Sequence, residues 1–132
     1  MVGGVAFVVD DGTRRLGIFT DLGHPFDRLV SVMKTLDAVV IESNYDLQML
    51  TKGPYFESLK RRIRGQGGHL SNRESAELLR VSGNRLKWAC LAHLSEENNN
   101  PDLAVETHRK IIGGRLPIFV ASRYEATDIL DV

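Results

Sequence analysis

Cysteine is nearly absent. Cys90 is the one thiol in the chain, so no disulfide can close within it, and the expected setting is reducing and cytoplasmic. Histidine is sparse as well: there are four in 132 residues and no His-x-His-x-Asp-His cluster, so no complete metal site arises from one local stretch. Net charge is also missing. Seventeen basic and seventeen acidic residues cancel, and the whole-chain field promises neither a nucleic-acid nor a membrane partner. No apolar run approaches the length of a membrane span, and the first residues lack the charged-then-apolar plan of a signal peptide. What remains is an ordinary globular balance, 42% hydrophobic and 26% charged, in a length that suits one domain.

The pattern of apolar residues gives the elements. Two β-rich runs, 5–10 and 16–20, flank Asp11-Gly12, a hairpin signal. Phe26, Leu29, Val30 and Met33 recur at helical spacing within 25–36, and 38–41 is a continuous apolar strand. A short helix over 46–50 stops at Gly53. Pro54 opens another over 55–64, ended by Gly65-Gln66-Gly67-Gly68. Ser71-Asn72-Arg73-Glu74 is a capping box for a helix running to about Arg80. A strand over 86–92 carries Cys90, expected as a core thiol, and 95–100 is a polar loop with no apolar residue to bury. Asn100-Pro101 starts a helix reaching about Ile112, and 118–121 and 129–132 read as closing strands. The order argues an α/β (α+β) class, a sheet with helices packed on it, as one domain or part of one. The chain enters its first strand almost at once after Met1, which suggests a truncated domain.

Several groups that carry chemistry stand at strand ends, where α/β proteins place their ligands. Asp21 follows the strand 16–20 and can reach a metal, or it caps the next segment. His93 follows 86–92, as a metal ligand or an imidazole satisfied by loop carbonyls. His69 precedes the capping box, as a proton donor to a leaving oxygen or a solvent-facing loop residue. Glu42 ends the buried strand and can orient the His69 imidazole, or it merely marks the strand's exit. His69 and His93 share an echo, His-Leu-Ser, in Gly68-His69-Leu70-Ser71 and Ala92-His93-Leu94-Ser95. His24 sits in a turn before Pro25, and His108 falls mid-helix on an expected solvated face. Lys60, Arg61, Arg62 and Arg64 form a basic run, either a solvated helix face or a phosphate-contacting patch.

Five pieces occur in a telling order: Thr20-Asp21-Leu22-Gly23, Glu42-Ser43-Asn44-Tyr45-Asp46, Gly53-Pro54-Tyr55, Gly68-His69-Leu70-Ser71-Asn72 and 91–99. Together they resemble the C-terminal half of YycJ-like (WalJ-like) hydrolases of the metallo-β-lactamase fold, and more distantly the RNase Z nucleases. The resemblance implies the second half of an αββα sandwich, one mixed β-sheet with helices packed on one face. Residues 1–132 would then be a single partial domain without its N-terminal metal-binding half. It also implies that Asp21 bridges two divalent ions (zinc or manganese), that His93 ligates one, and that His69, paired with Glu42, assists the leaving group. Tyr45 stands where YycJ-like proteins often have histidine.

The function so implied is a metal-dependent phosphodiesterase or exonuclease acting on nucleic acid, DNA before RNA, with Lys60, Arg61, Arg62 and Arg64 on the substrate backbone. Asp21 and His93 are two groups where catalytic zinc commonly takes about three per ion, so the chain alone is expected to be inactive. The expected partner is the missing N-terminal half, in the same gene or a separate chain, with a homo-oligomer through the uncovered sheet face as the other outcome. The alternatives are a non-catalytic binding or subunit module on the same fold, and a small-molecule esterase, lactonase or cyclic phosphodiesterase.

Overall fold

The computed structural model describes residues 5–22, 27–65 and 68–132. His24 and its turn, the start of the helix expected over 25–36, and Gln66-Gly67 lie outside the described residues. The chain opens with strands β1 (Val5–Asp10) and β2 (Arg15–Thr20), paired antiparallel as expected from Asp11-Gly12. The Asp11 carboxylate accepts from the Thr13 and Arg14 N–H groups at 2.8 and 2.7 Å, and Gly12 takes the left-handed φ of 92° that the turn requires. Helix α1 (Asp27–Met33), strand β3 (Ala38–Glu42), helices α2 (Leu47–Lys52), α3 (Glu57–Arg64) and α4 (Asn72–Ser82), strand β4 (Trp88–Ala92), helix α5 (Pro101–Ile112) and strand β5 (Ile118–Val120) follow.

The five strands form one mixed sheet in chain order, with β2 through β5 parallel. Alternation along the strands separates two faces. Phe19, Val39, Ile41, Ala89 and Leu91 pack against Leu29 and Met33 of α1, Leu78 and Leu79 of α4, and Ala104 of α5 in the main core. Ala38, Trp88 and Cys90 point to the other side, where Ala121, Leu130 and Val132 of the last segment pack on them. Cys90 is a core thiol, as expected, and burial pushes its pKa up.

Two expectations need correction. Residues 129–132 form no strand: Leu130 and Val132 lie on the sheet face while Ile129 is exposed, and the Trp88 indole N–H donates to the Asp131 carbonyl at 2.7 Å. His108 is not on a solvated face but fully buried. Its Nδ1–H donates to the Ala104 carbonyl at 2.8 Å, and its Nε2 accepts from the Ser75 hydroxyl at 3.2 Å, joining α5 to α4. The polar sequence around it concealed a position whose backbone and hydroxyl partners make burial affordable.

Candidate metal centre

Parallel pairing puts the carboxyl ends of β2, β3 and β4 side by side, with Phe19 opposite Ile41 and Glu42 opposite Ala92. Asp21 lies just past the first, Glu42 ends the second and His93 follows the third. His69 comes in from the segment between α3 and α4, where the Ser71–Glu74 capping box fixes the start of α4. Potential ligand atoms of Asp21, Glu42, His69 and His93 all lie within 4.8 Å of one another.

Glu42 is the hub. Its side chain is fully buried; Oε1 accepts from the Leu22 and Leu70 N–H groups, both at 3.2 Å. Oε2 meets Nδ1 of His69 at 2.8 Å and also Nδ1 of His93. The carboxylate thus serves both imidazoles, not His69 alone. Burial opposes its ionisation, but bonds from His69, His93 and the Leu70 N–H outweigh burial and hold its pKa below the usual carboxylate value. The bond to Glu42 in turn raises the pKa of His93 against the opposing effect of burial. Asp21 Oδ1 sits 3.8 Å from His69 Nδ1 and 3.6 Å from His93 Nδ1, on a carboxylate that is 65% exposed. The two rings meet edge to face, with centroids 5.2 Å apart.

Backbone strain marks the same place. Among the described residues, Asp21 and His93 are the non-glycine residues with positive φ, each at 58°. That conformation costs roughly 1–2 kcal/mol per residue, a cost that packing elsewhere must offset.

Neighbouring segments hold the two imidazoles in place. Asn44 donates its N–H to the Leu70 carbonyl at 2.8 Å and its side-chain amide to the His93 carbonyl at 2.7 Å, and it accepts from the Ser95 N–H. Below it, the Asn99 amide bonds the Ser43 carbonyl at 2.9 Å and Asn72 Oδ1 at 2.8 Å. These asparagines were missed in the sequence. The stretch 95–100 looked like a solvated loop, yet Asn98 and Asn99 are buried, and no local signal marks partners that lie 27 and 56 positions away. Gly68 lets the His69 segment close on α3: a Cβ there would stand 2.3 Å from the Arg62 and Ile63 carbonyls. Tyr45, where the resemblance suggested a histidine elsewhere, is buried, and its carbonyl accepts from the Asn72 N–H. Burial and the nearby Glu74 carboxylate raise its pKa.

The basic run divides. Lys60 is buried; its ammonium donates to the Thr51 carbonyl at 2.8 Å and lies 3.7 Å from Glu57, so it braces α3 on α2. Arg64 stands 3.9 Å from Glu57, and Arg61 is exposed without lining the cavity. Arg62 alone of the run lines the cavity of about 1160 Å³ into which His69 and His93 also face.

The donor set fits a divalent cation. Imidazole with carboxylate suits zinc or manganese, and Asp21 is exposed enough to bind one. Glu42, already accepting four hydrogen bonds, suits orienting the imidazoles better than ligation.

No family model matches the chain. Exodeoxyribonuclease WalJ of Streptococcus pneumoniae serotype 2 (strain D39 / NCTC 7466) is 41% identical over 99 residues, 74% of this chain. Exodeoxyribonuclease YycJ of Bacillus anthracis is 39% identical, again over 99 residues. The chain is WalJ/YycJ-like. It spans little more than a third of these relatives, 36% of WalJ and 38% of YycJ, consistent with a WalJ/YycJ-like C-terminal part.

Proposed function

We propose that the chain is the C-terminal half of a metal-dependent, nuclease-type hydrolase of the metallo-β-lactamase fold, removing nucleotides from DNA. The observation that carries this is the meeting of Asp21, Glu42, His69 and His93 within 4.8 Å at three adjacent strand ends. The exodeoxyribonuclease names of the relatives favour DNA as substrate. In this reading Asp21 and His93 hold the divalent ions, with further ligands from the remainder of the protein. Such ions, when bound, lower the pKa of water and stabilise charge on phosphoryl oxygens.

The chain's own residues account for the rest. Glu42 fixes one tautomer of His69, with the proton on Nδ1, and holds the ring's orientation. A proton carried on His69 Nε2 then passes to the departing oxygen of the cleaved phosphodiester. Glu42 steadies His93 in the same way, so loss of that carboxylate removes a partner from both rings.

The uncovered apolar sheet face supports a missing half. Phe7 and Val9 pair across β1–β2 with Ile18 and Leu16 and stay 59% and 58% exposed; Phe119 adds to the same face. A second sheet-bearing segment, in the same polypeptide or a separate chain, would cover it.

The test is calorimetric titration of the chain with Zn²⁺ or Mn²⁺. Asp21→Ala and His93→Ala should each lower metal affinity by at least tenfold, while Arg61→Ala should leave it unchanged. Full metal uptake by both site variants would leave a non-catalytic module as the better reading.

A further inference from the structure

The cavity beside the two imidazoles has features that the metal centre does not require. At about 1160 Å³ it exceeds the 300–1,000 Å³ usual for small-ligand pockets. Its lining includes two arginines and two tyrosines: Tyr55, Arg62 on α3, and Arg123-Tyr124 just after β5. Unlike Lys60 and Arg64, which turn to Glu57, Arg62 is exposed and has no acidic partner among the described residues.

Arg123 donates through Nη2 to the carbonyl of Leu94, the residue after His93, at 2.7 Å. Its other terminal nitrogen, Nη1, lies 3.3 Å from Glu96 in an exposed pair, weak enough to yield to a phosphate. Tyr124 is anchored at one end, its hydroxyl 2.9 Å from Glu96 Oε1, yet the residue is 80% exposed. A tyrosine kept for packing would bury its ring. One tethered by its hydroxyl with bare faces is a platform for a flat partner.

We propose that this cavity receives the end of a nucleic-acid strand, with Arg62 and Arg123 each taking a backbone phosphate and Tyr124 stacking on the last base. The proposal rests on the nuclease reading above and adds the residues that hold the strand. Arg123 links the two, because a phosphate on its guanidinium lies next to the His93 segment. The chain's zero net charge is no obstacle, since the contacts depend on two local cations.

The test is fluorescence anisotropy with short labelled oligothymidylate and oligouridylate, in chelator so that no metal contributes. The wild-type chain should bind both probes saturably at low ionic strength. Arg62→Ala and Arg123→Ala should each weaken binding and each reduce the slope of log affinity against log salt by about 0.7 to 1. Tyr124→Ala should weaken binding about tenfold with the slope unchanged, whereas Tyr124→Phe, which keeps the ring and loses only the tether, should retain most of the binding. Absence of saturable binding, an unchanged slope in both arginine variants, or Tyr124→Phe falling as far as Tyr124→Ala would each overturn the proposal. Because no metal is present, failure here leaves the Asp21 and His93 titration standing. Failure of that titration leaves strand binding standing.

Discussion

Glu42 has no acceptor capacity left over: two backbone N–H groups occupy Oε1 and two imidazoles share Oε2. Glutamine at this position keeps the shape but replaces one acceptor oxygen with an NH₂ group, turning it towards groups that are themselves donors. Glu42→Gln is therefore expected to destabilise the chain by about 3 kcal/mol, the scale of breaking a buried charge pair. It should also return the raised pKa of His93 towards the ordinary imidazole value. Urea unfolding and proton NMR titration of His93 measure the two effects, and a variant as stable as wild type would refute the hub role. Asp21, Glu42, His69 and His93 were legible as separate candidates because each stands beside a recognisable strand or cap. That one carboxylate serves both rings was not legible, since it depends on β3 lying between β2 and β4.

Between elements, His108 ties α5 to α4 and titrates in the opposite sense from His93. Burial depresses its pKa, outweighing the favourable bond to Ala104. The unfolded chain, with an ordinary imidazole, then takes up the proton first. The stability from neutral His108 is complete above the unfolded pKa of about 6.5 and is lost as pH falls through that value towards the lower folded one. His93 has a raised folded pKa, so its contribution is complete below the unfolded value and fades as pH rises through the folded one. Comparing wild type with His108→Gln isolates the first effect: the urea midpoint of wild type should fall from about pH 7.5 to 5 by more than that of the variant. Equal slopes would show that His108 takes its proton without cost. Helix periodicity and capping were read correctly here from local spacing; the inward turn of His108 was not, because its partner Ser75 lies 33 positions away.

Across the whole molecule, α1, α4 and α5 cover one face of the sheet, and the last segment covers only the β3–β4 part of the other. Phe7 and Val9 on β1 stay exposed there, and Phe119 on β5 stays partly exposed beyond the covered part. The chain by itself is expected to associate as its concentration rises, and Phe7→Lys with Val9→Lys should suppress this with little change in unfolding midpoint. Sedimentation at several concentrations reads the outcome; a wild-type monomer throughout would mean the face needs no cover.

The amino-acid order by itself determined the elements. Alternation, helical spacing, caps and the Asp11-Gly12 turn act over a few residues, so β1, β2, β3 and the helices α3 to α5 follow from neighbours in the chain. It determined, too, that reactive groups stand at strand ends. Only the tertiary structure decided that the Glu42 carboxylate expected beside His69 also reaches across 51 positions to His93, that asparagines of a polar loop are buried, and that Leu130 and Val132 lie on the sheet instead of joining its edge. The reason is physical: sheet order and register set which distant groups share the same space, and no short-range preference carries that information.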